Sequence, residues 1–101
     1  MLTSVHDFRI PTLKVLRDLG GTAWIKAIEE EFYKRHSTHL DPEKPWAAIT
    51  RNRGVELWRD YCTTRVALSY LRPEELITIE RHGNKGSKYI LTAKGRAAAQ
   101  Q

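Results

Sequence analysis

The side chains with the most chemistry to offer lie between Arg51 and Lys88. Arg59, Cys62, Thr63, Val66 and Tyr70 recur at spacings that place them on one face of a helix with 3.6 residues per turn. An Arg guanidinium forks onto a guanine edge, a Thr hydroxyl serves bases or phosphates, and a Val methyl packs on a thymine methyl. Arg51 and Arg53 stand in a basic turn before that helix and Arg65 on its flank, while Lys85 and Lys88 stand in a Gly-rich turn beyond it. Loops leading into helices commonly meet phosphates. Arg59 and Thr63 are therefore expected to face bases, with Val66 against methyl groups. Arg51, Arg53, Arg65, Lys85 and Lys88 are expected to hold phosphates.

Other chemistry is not supported. The chain has no phosphate-cradling P-loop and no dinucleotide fingerprint. It contains no Glu-x-Lys or Asp-x-Lys tripeptide of the kind that metal-dependent nucleases use. His6, His36, His39, Cys62 and His82 are scattered, and only His36 and His39 are close together, so no metal set forms at usual ligand spacings. Cys62 has no His at any local spacing to act as its base. No catalytic residue, cofactor, metal or small-molecule substrate is expected.

The helix that must carry Arg59 to Val66 spans Glu56–Arg72. Leu57, Tyr61, Thr64, Leu68 and Leu71, at i, i+4, i+7, i+11 and i+14, form its expected buried stripe. Pro73 is expected to stop it. Leu76–Glu80 alternates apolar and polar residues and reads as a strand, and Tyr89–Leu91 reads as its antiparallel partner. His82–Lys88 is the turn between them, with Lys85 and Lys88 projecting outward beside Arg81. Thr92 is placed to cap a last helix, Ala93–Gln100.

The preceding half reads as support. Residues 1–9 read as an arm or a short turn that Phe8 and Ile10 are expected to tuck down. A first helix opens at Pro11, buries Leu13, Leu16 and either Ile10 or Leu19, and closes at Gly20-Gly21. Thr22-Ala23 suits a stub strand. A second helix, from about Ala23 to Arg35, buries Ile25, Ile28 and Phe32 with Trp24 beside them. Glu29, Glu30 and Glu31 fill much of its other side, a poor match for DNA. Residues 36–55 form a connector, too long to lack structure in a compact domain. Within it, Pro45–Thr50 suits a short helix burying Trp46 and Ile49.

These elements predict a single α+β domain, mainly α, of the winged helix-turn-helix kind: three to four helices followed by a two-stranded β-hairpin wing. The 101 residues suit one domain. Charge supports the same reading. The total is +5, and it collects on residues 44–72 and 80–101, while 22–43 and 73–79 are net acidic. A basic footprint on a small domain is the electrostatic signature of a nucleic-acid binder. No apolar run is long enough to span a membrane. The opening residues carry charges and no apolar core, so no signal peptide is expected. With one cysteine, a reducing cytoplasm is the expected setting.

The run Gly86-x-x-Tyr89-x-Leu91-Thr92-x-x-Gly95 resembles the wing-to-last-helix signature of MarR-like and PadR-like winged-helix regulators. More of the chain, about residues 10–100, resembles the N-terminal domain of Mrr-type restriction proteins. The shared motifs are Pro11-x-Leu13-x-x-Leu16, Arg65–Leu71 and Leu76-Ile77. Two positions depart from that family, which tends to carry Trp where Val66 stands and Gly where Glu75 stands. The chain also stops where those proteins continue into a nuclease domain. The resemblance implies a double-stranded DNA-binding module without its own cleavage activity. Such a module would be a small transcriptional regulator or a reader of DNA sequence or modification. A homodimer on two half-sites is one expectation. A competing reading makes the same scaffold a protein-interaction module, with Trp58, Val66 and Tyr70 as exposed anchors.

Overall fold

The computed structural model describes residues 5–36 and 66–101. Within them the chain forms a 3₁₀ turn (Val5–Phe8), α1 (Arg9–Asp18), β1 (Thr22–Trp24), α2 (Ile25–His36), a π-helical turn (Ala67–Leu71), β2 (Ile77–Arg81), β3 (Ser87–Leu91) and α3 (Ala93–Ala98). The architecture is α+β. Its sheet is antiparallel with strand order β1-β3-β2, so it has three strands and not the two of a simple hairpin. The third is the Thr22-Ala23 stub, extended by Trp24, and its pairing is continued by Leu91 N–H donating to the Gly21 carbonyl at 2.7 Å.

The register fixes two faces. Ala23, Tyr89 and Ile79 form one cross-strand row, and Ile77 and Leu91 the next. These side chains turn inward, and all but the half-buried Ile79 are buried. Leu13, Val15 and Leu16 of α1, Ile28 and Phe32 of α2, and Phe8 complete the core on the same side. Phe8 stacks on Phe32 with ring centres 5.2 Å apart. Phe8 thus ties the 3₁₀ turn to the core as the sequence suggests, and residues 1–4 lie outside the described residues. Ile10 packs against the core while Leu19 stays exposed. α1 opens two residues earlier than expected, at Arg9, and Pro11 sits in its first turn, where a missing N–H costs nothing.

Two helices close by the same device. At the end of α1, Gly21 N–H donates to Leu16 O at 2.9 Å and Gly20 N–H to Arg17 O at 3.0 Å, with Gly20 at φ +100°. After the π-helical turn, Leu76 N–H donates to Leu71 O at 2.8 Å and Glu75 N–H to Arg72 O at 3.0 Å. Both are Schellman closures, with a left-handed residue in the penultimate place. In the second, that residue is Glu75, at φ +61°. Pro73 is therefore not the stop. Arg72 keeps helical angles directly before it, at φ −72° and ψ −46°. The turn is widened, with Arg72 N–H donating to Ala67 O at 2.9 Å.

The π-helical turn also shifts the expected buried stripe, of which Leu57, Tyr61 and Thr64 lie outside the described residues. A wider turn advances fewer degrees per residue, so a 3.6-residue extrapolation loses phase. Leu71 is buried as expected, but Leu68 is 47% exposed, and Val66 and Ala67 take the inward positions. The face of α2 is corrected too: Glu29 is fully buried, and only Glu30 and Glu31 reach solvent.

α3 is held through one hydroxyl. Thr92 Oγ1 donates to the Glu75 carbonyl at 2.7 Å and accepts from Gly95 N–H at 2.9 Å. The Thr92 cap read from sequence is thus in place, and it also pins the Schellman loop. At the other end, Arg17 Nη1 donates to the Ala99 carbonyl at 3.1 Å.

Candidate nucleic-acid interface

The β2–β3 turn is built from local bonds. His82 N–H donates to Gly86 O at 2.8 Å, and Lys85 N–H to His82 O at 3.2 Å. The 3₁₀ turn Gly83–Lys85 leaves Lys85 exposed at the tip. β3 begins at Ser87, earlier than the sequence suggests, so Lys88 belongs to the sheet and not to the turn. Alternation then puts Lys88 on the outer face with Ile90, paired across the strands with Trp24 on one side and Glu80 on the other. Its ammonium lies 4.7 Å from the centre of the Trp24 ring, a cation–π contact that leaves Lys88 half-buried. His82 meets the same indole edge-on, with centres 5.1 Å apart, and pairs with Glu80 through Nε2.

Beside this cluster the turn and the opening of α2 enclose a groove of about 700 Å³. Trp24, Ile25 and Ala27 supply apolar wall, Asn84, Ser87 and Glu30 supply polar groups, and Lys26 and Lys85 supply charge. Trp24, Lys26 and His82 were not among the residues singled out from sequence. Trp24 reads there as part of α2 and His82 as a turn residue. The signal that could have found them is the period-2 alternation run back from Leu91 through Tyr89 to Ser87, which sends Lys88 outward.

Arg9 pairs with Glu74 at 2.8 Å, Arg17 with Asp18 at 3.0 Å, and Arg35 with both Asp18 at 2.9 Å and Glu31 at 2.8 Å. The hydrogen bonds from Arg17 first, and from Arg35 next, hold the Asp18 carboxyl below its ordinary range. The bond to Glu31, ahead of that to Asp18, raises the Arg35 guanidinium. Among the described residues, Lys26, Arg81, Lys85 and Lys88 have no such carboxylate partner, and neither do Lys14, Lys34, Arg72, Lys94 and Arg96.

Of the residues expected to touch DNA, Lys85 and Lys88 come together on the hairpin. Val66 does not join them. It is fully buried beside Ala67, because the π-helical turn rotates it inward, so it can neither meet a thymine methyl nor anchor a protein. Tyr70 is half-buried, with the His6 ring edge-on at 5.2 Å. Arg51, Arg53, Arg59, Thr63 and Arg65, with Trp58, lie outside the described residues. Among the described residues no cluster of His, Cys, Asp and Glu could hold a metal ion, and no helix is long and apolar enough to cross a membrane. Comparison with protein-family models, with curated proteins and with solved structures finds no match to this chain.

Proposed function

We propose that the protein is a winged-helix module that binds double-stranded DNA, acting as a small regulator or as a reader of DNA sequence or modification, without catalysis of its own. One observation carries this reading. The hairpin holds Arg81, Lys85 and Lys88 clear of carboxylate partners other than the cross-strand Glu80, whereas Asp18, Glu31 and Glu74 are tied to arginines elsewhere. Cations left unneutralised along one hairpin suit a polyanion better than they suit folding stability. Arg59 and Thr63 are the proposed base contacts, and Arg51, Arg53, Arg65, Lys85 and Lys88 the phosphate contacts. A protein-interaction role is not favoured, because Val66, one of its three expected anchors, is buried.

The test is a duplex titration at several salt concentrations. About five phosphate contacts give a slope of log affinity on log salt of roughly −4 to −5. A flat dependence removes the proposal.

A further inference from the structure

We propose that the groove between the hairpin turn and the first turn of α2 takes one unpaired nucleotide of a DNA strand whose duplex the hairpin grips. This rests on the DNA-binding reading above and names a substrate feature for it.

The groove combines three kinds of wall. Trp24 supplies an aromatic surface backed by Ile25 and Ala27. Proteins that hold unpaired bases do so mainly by stacking them on aromatic rings beside a cationic track for the backbone. Asn84, Ser87 and Glu30 supply an amide, a hydroxyl and a carboxylate, which are the groups that hydrogen-bond base edges. Lys26 and Lys85 supply the charge for the flanking phosphates. A volume of about 700 Å³ lies inside the usual range for small-ligand sites. The indole is held in advance. Lys88 lies over one face, 4.7 Å from its centre, and the His82 ring stands T-shaped to it with centres 5.1 Å apart, so the ring is ordered before any base arrives. A paired base cannot enter, since its faces are covered by its neighbours. A bulge or a single-stranded overhang can.

The experiment compares labelled DNAs of equal length in one buffer: fully paired, with a one-nucleotide bulge, and with a single-stranded overhang. Free mononucleotide serves as a competitor. Wild type is measured beside Trp24→Leu and Asn84→Ala, the second at an exposed turn position where folding is not at stake. Bulged or overhanging DNA should bind about tenfold tighter than paired DNA, the scale of one base stacked on an aromatic ring. Trp24→Leu should erase that preference, and Asn84→Ala should reduce it several-fold with affinity for paired DNA unchanged. Equal affinity of wild type for all three DNAs overturns the proposal while leaving the DNA reading intact. So does a preference that survives Asn84→Ala undiminished. Mononucleotide that competes as well as bulged DNA overturns the assignment to a strand. Loss of salt-dependent binding to every DNA removes the DNA reading, and this proposal with it.

Discussion

Gly95 rests directly on the main chain of Leu76. A Cβ at position 95 would lie well inside van der Waals contact distance of the Leu76 carbonyl oxygen and 2.8 Å from Leu91 Cδ1. That oxygen also accepts from Thr92 N–H at 3.1 Å, so it is not free to retreat. Gly95→Ala should therefore cost about 2 kcal/mol or more, as overpacking against an unyielding neighbour does. In a domain of this size that is a drop of roughly 10 °C in melting temperature. A thermal melt followed by circular dichroism checks it, and a variant melting within about 2 °C of wild type would show that the approach is looser than described.

Where local pattern decided structure, the sequence was readable. The Thr92 cap, the strands entering at Ile77 and leaving at Leu91, the Thr22 stub and the Leu13/Leu16 and Ile28/Phe32 stripes follow from capping chemistry and periodicity. Val66, Leu68 and Glu29 did not follow. The first two depend on a π-helical turn, which breaks the assumed 3.6-residue phase. Glu29 looks like one of three equivalent glutamates until tertiary packing selects it for burial. The candidate groove was hidden for another reason. It joins residues some sixty positions apart, Trp24 to Ala27 with Asn84 to Ser87, and only the β1–β3 pairing brings them together.

Glu75 holds a left-handed conformation that an L-residue with a Cβ adopts at a cost of about 1–2 kcal/mol. Its backbone, not its side chain, makes the Schellman bonds and accepts from Thr92. Glu75→Gly should then stabilise the fold. Relief of strain outweighs the greater chain entropy of glycine, for a net gain of about 0.5–1 kcal/mol. Gly20→Ala, at φ +100° in the matching closure of α1, should destabilise. Urea titrations of the two variants should move the midpoint in opposite directions. Movement in the same direction contradicts the shared geometry.

Tyr89 is buried in the sheet, and burial first, with the charge of Glu29 second, raises its phenol well above the ordinary value. The folded state thus holds this proton more tightly than the unfolded state does. Stability from this group is complete below about pH 10, the unfolded value, and is lost as pH rises beyond it, by up to about 1.4 kcal/mol per pH unit. Tyr89→Phe should be less steep over the same range, whatever uniform change it makes at neutral pH. Denaturant midpoints at pH 9, 10 and 11 give both slopes, and parallel slopes would mean that Tyr89 is not the group that titrates.

Net charge alone would let any lysine serve, whereas the hairpin reading makes position decisive. Lys85 is exposed at the β2–β3 turn, and Lys34 is exposed near the far end of α2, whose opening flanks the groove. Eight residues of helix separate Lys34 from Lys26, about 12 Å, which exceeds the Debye length at physiological salt. Lys85→Glu and Lys34→Glu change the total charge equally. Lys85→Glu should weaken duplex binding about tenfold and flatten the salt slope by roughly one. Lys34→Glu should shift affinity less than about threefold with the slope kept, because its field is screened before it reaches the hairpin. Equal losses from the two reversals would mean that the whole basic surface attracts DNA without a defined face.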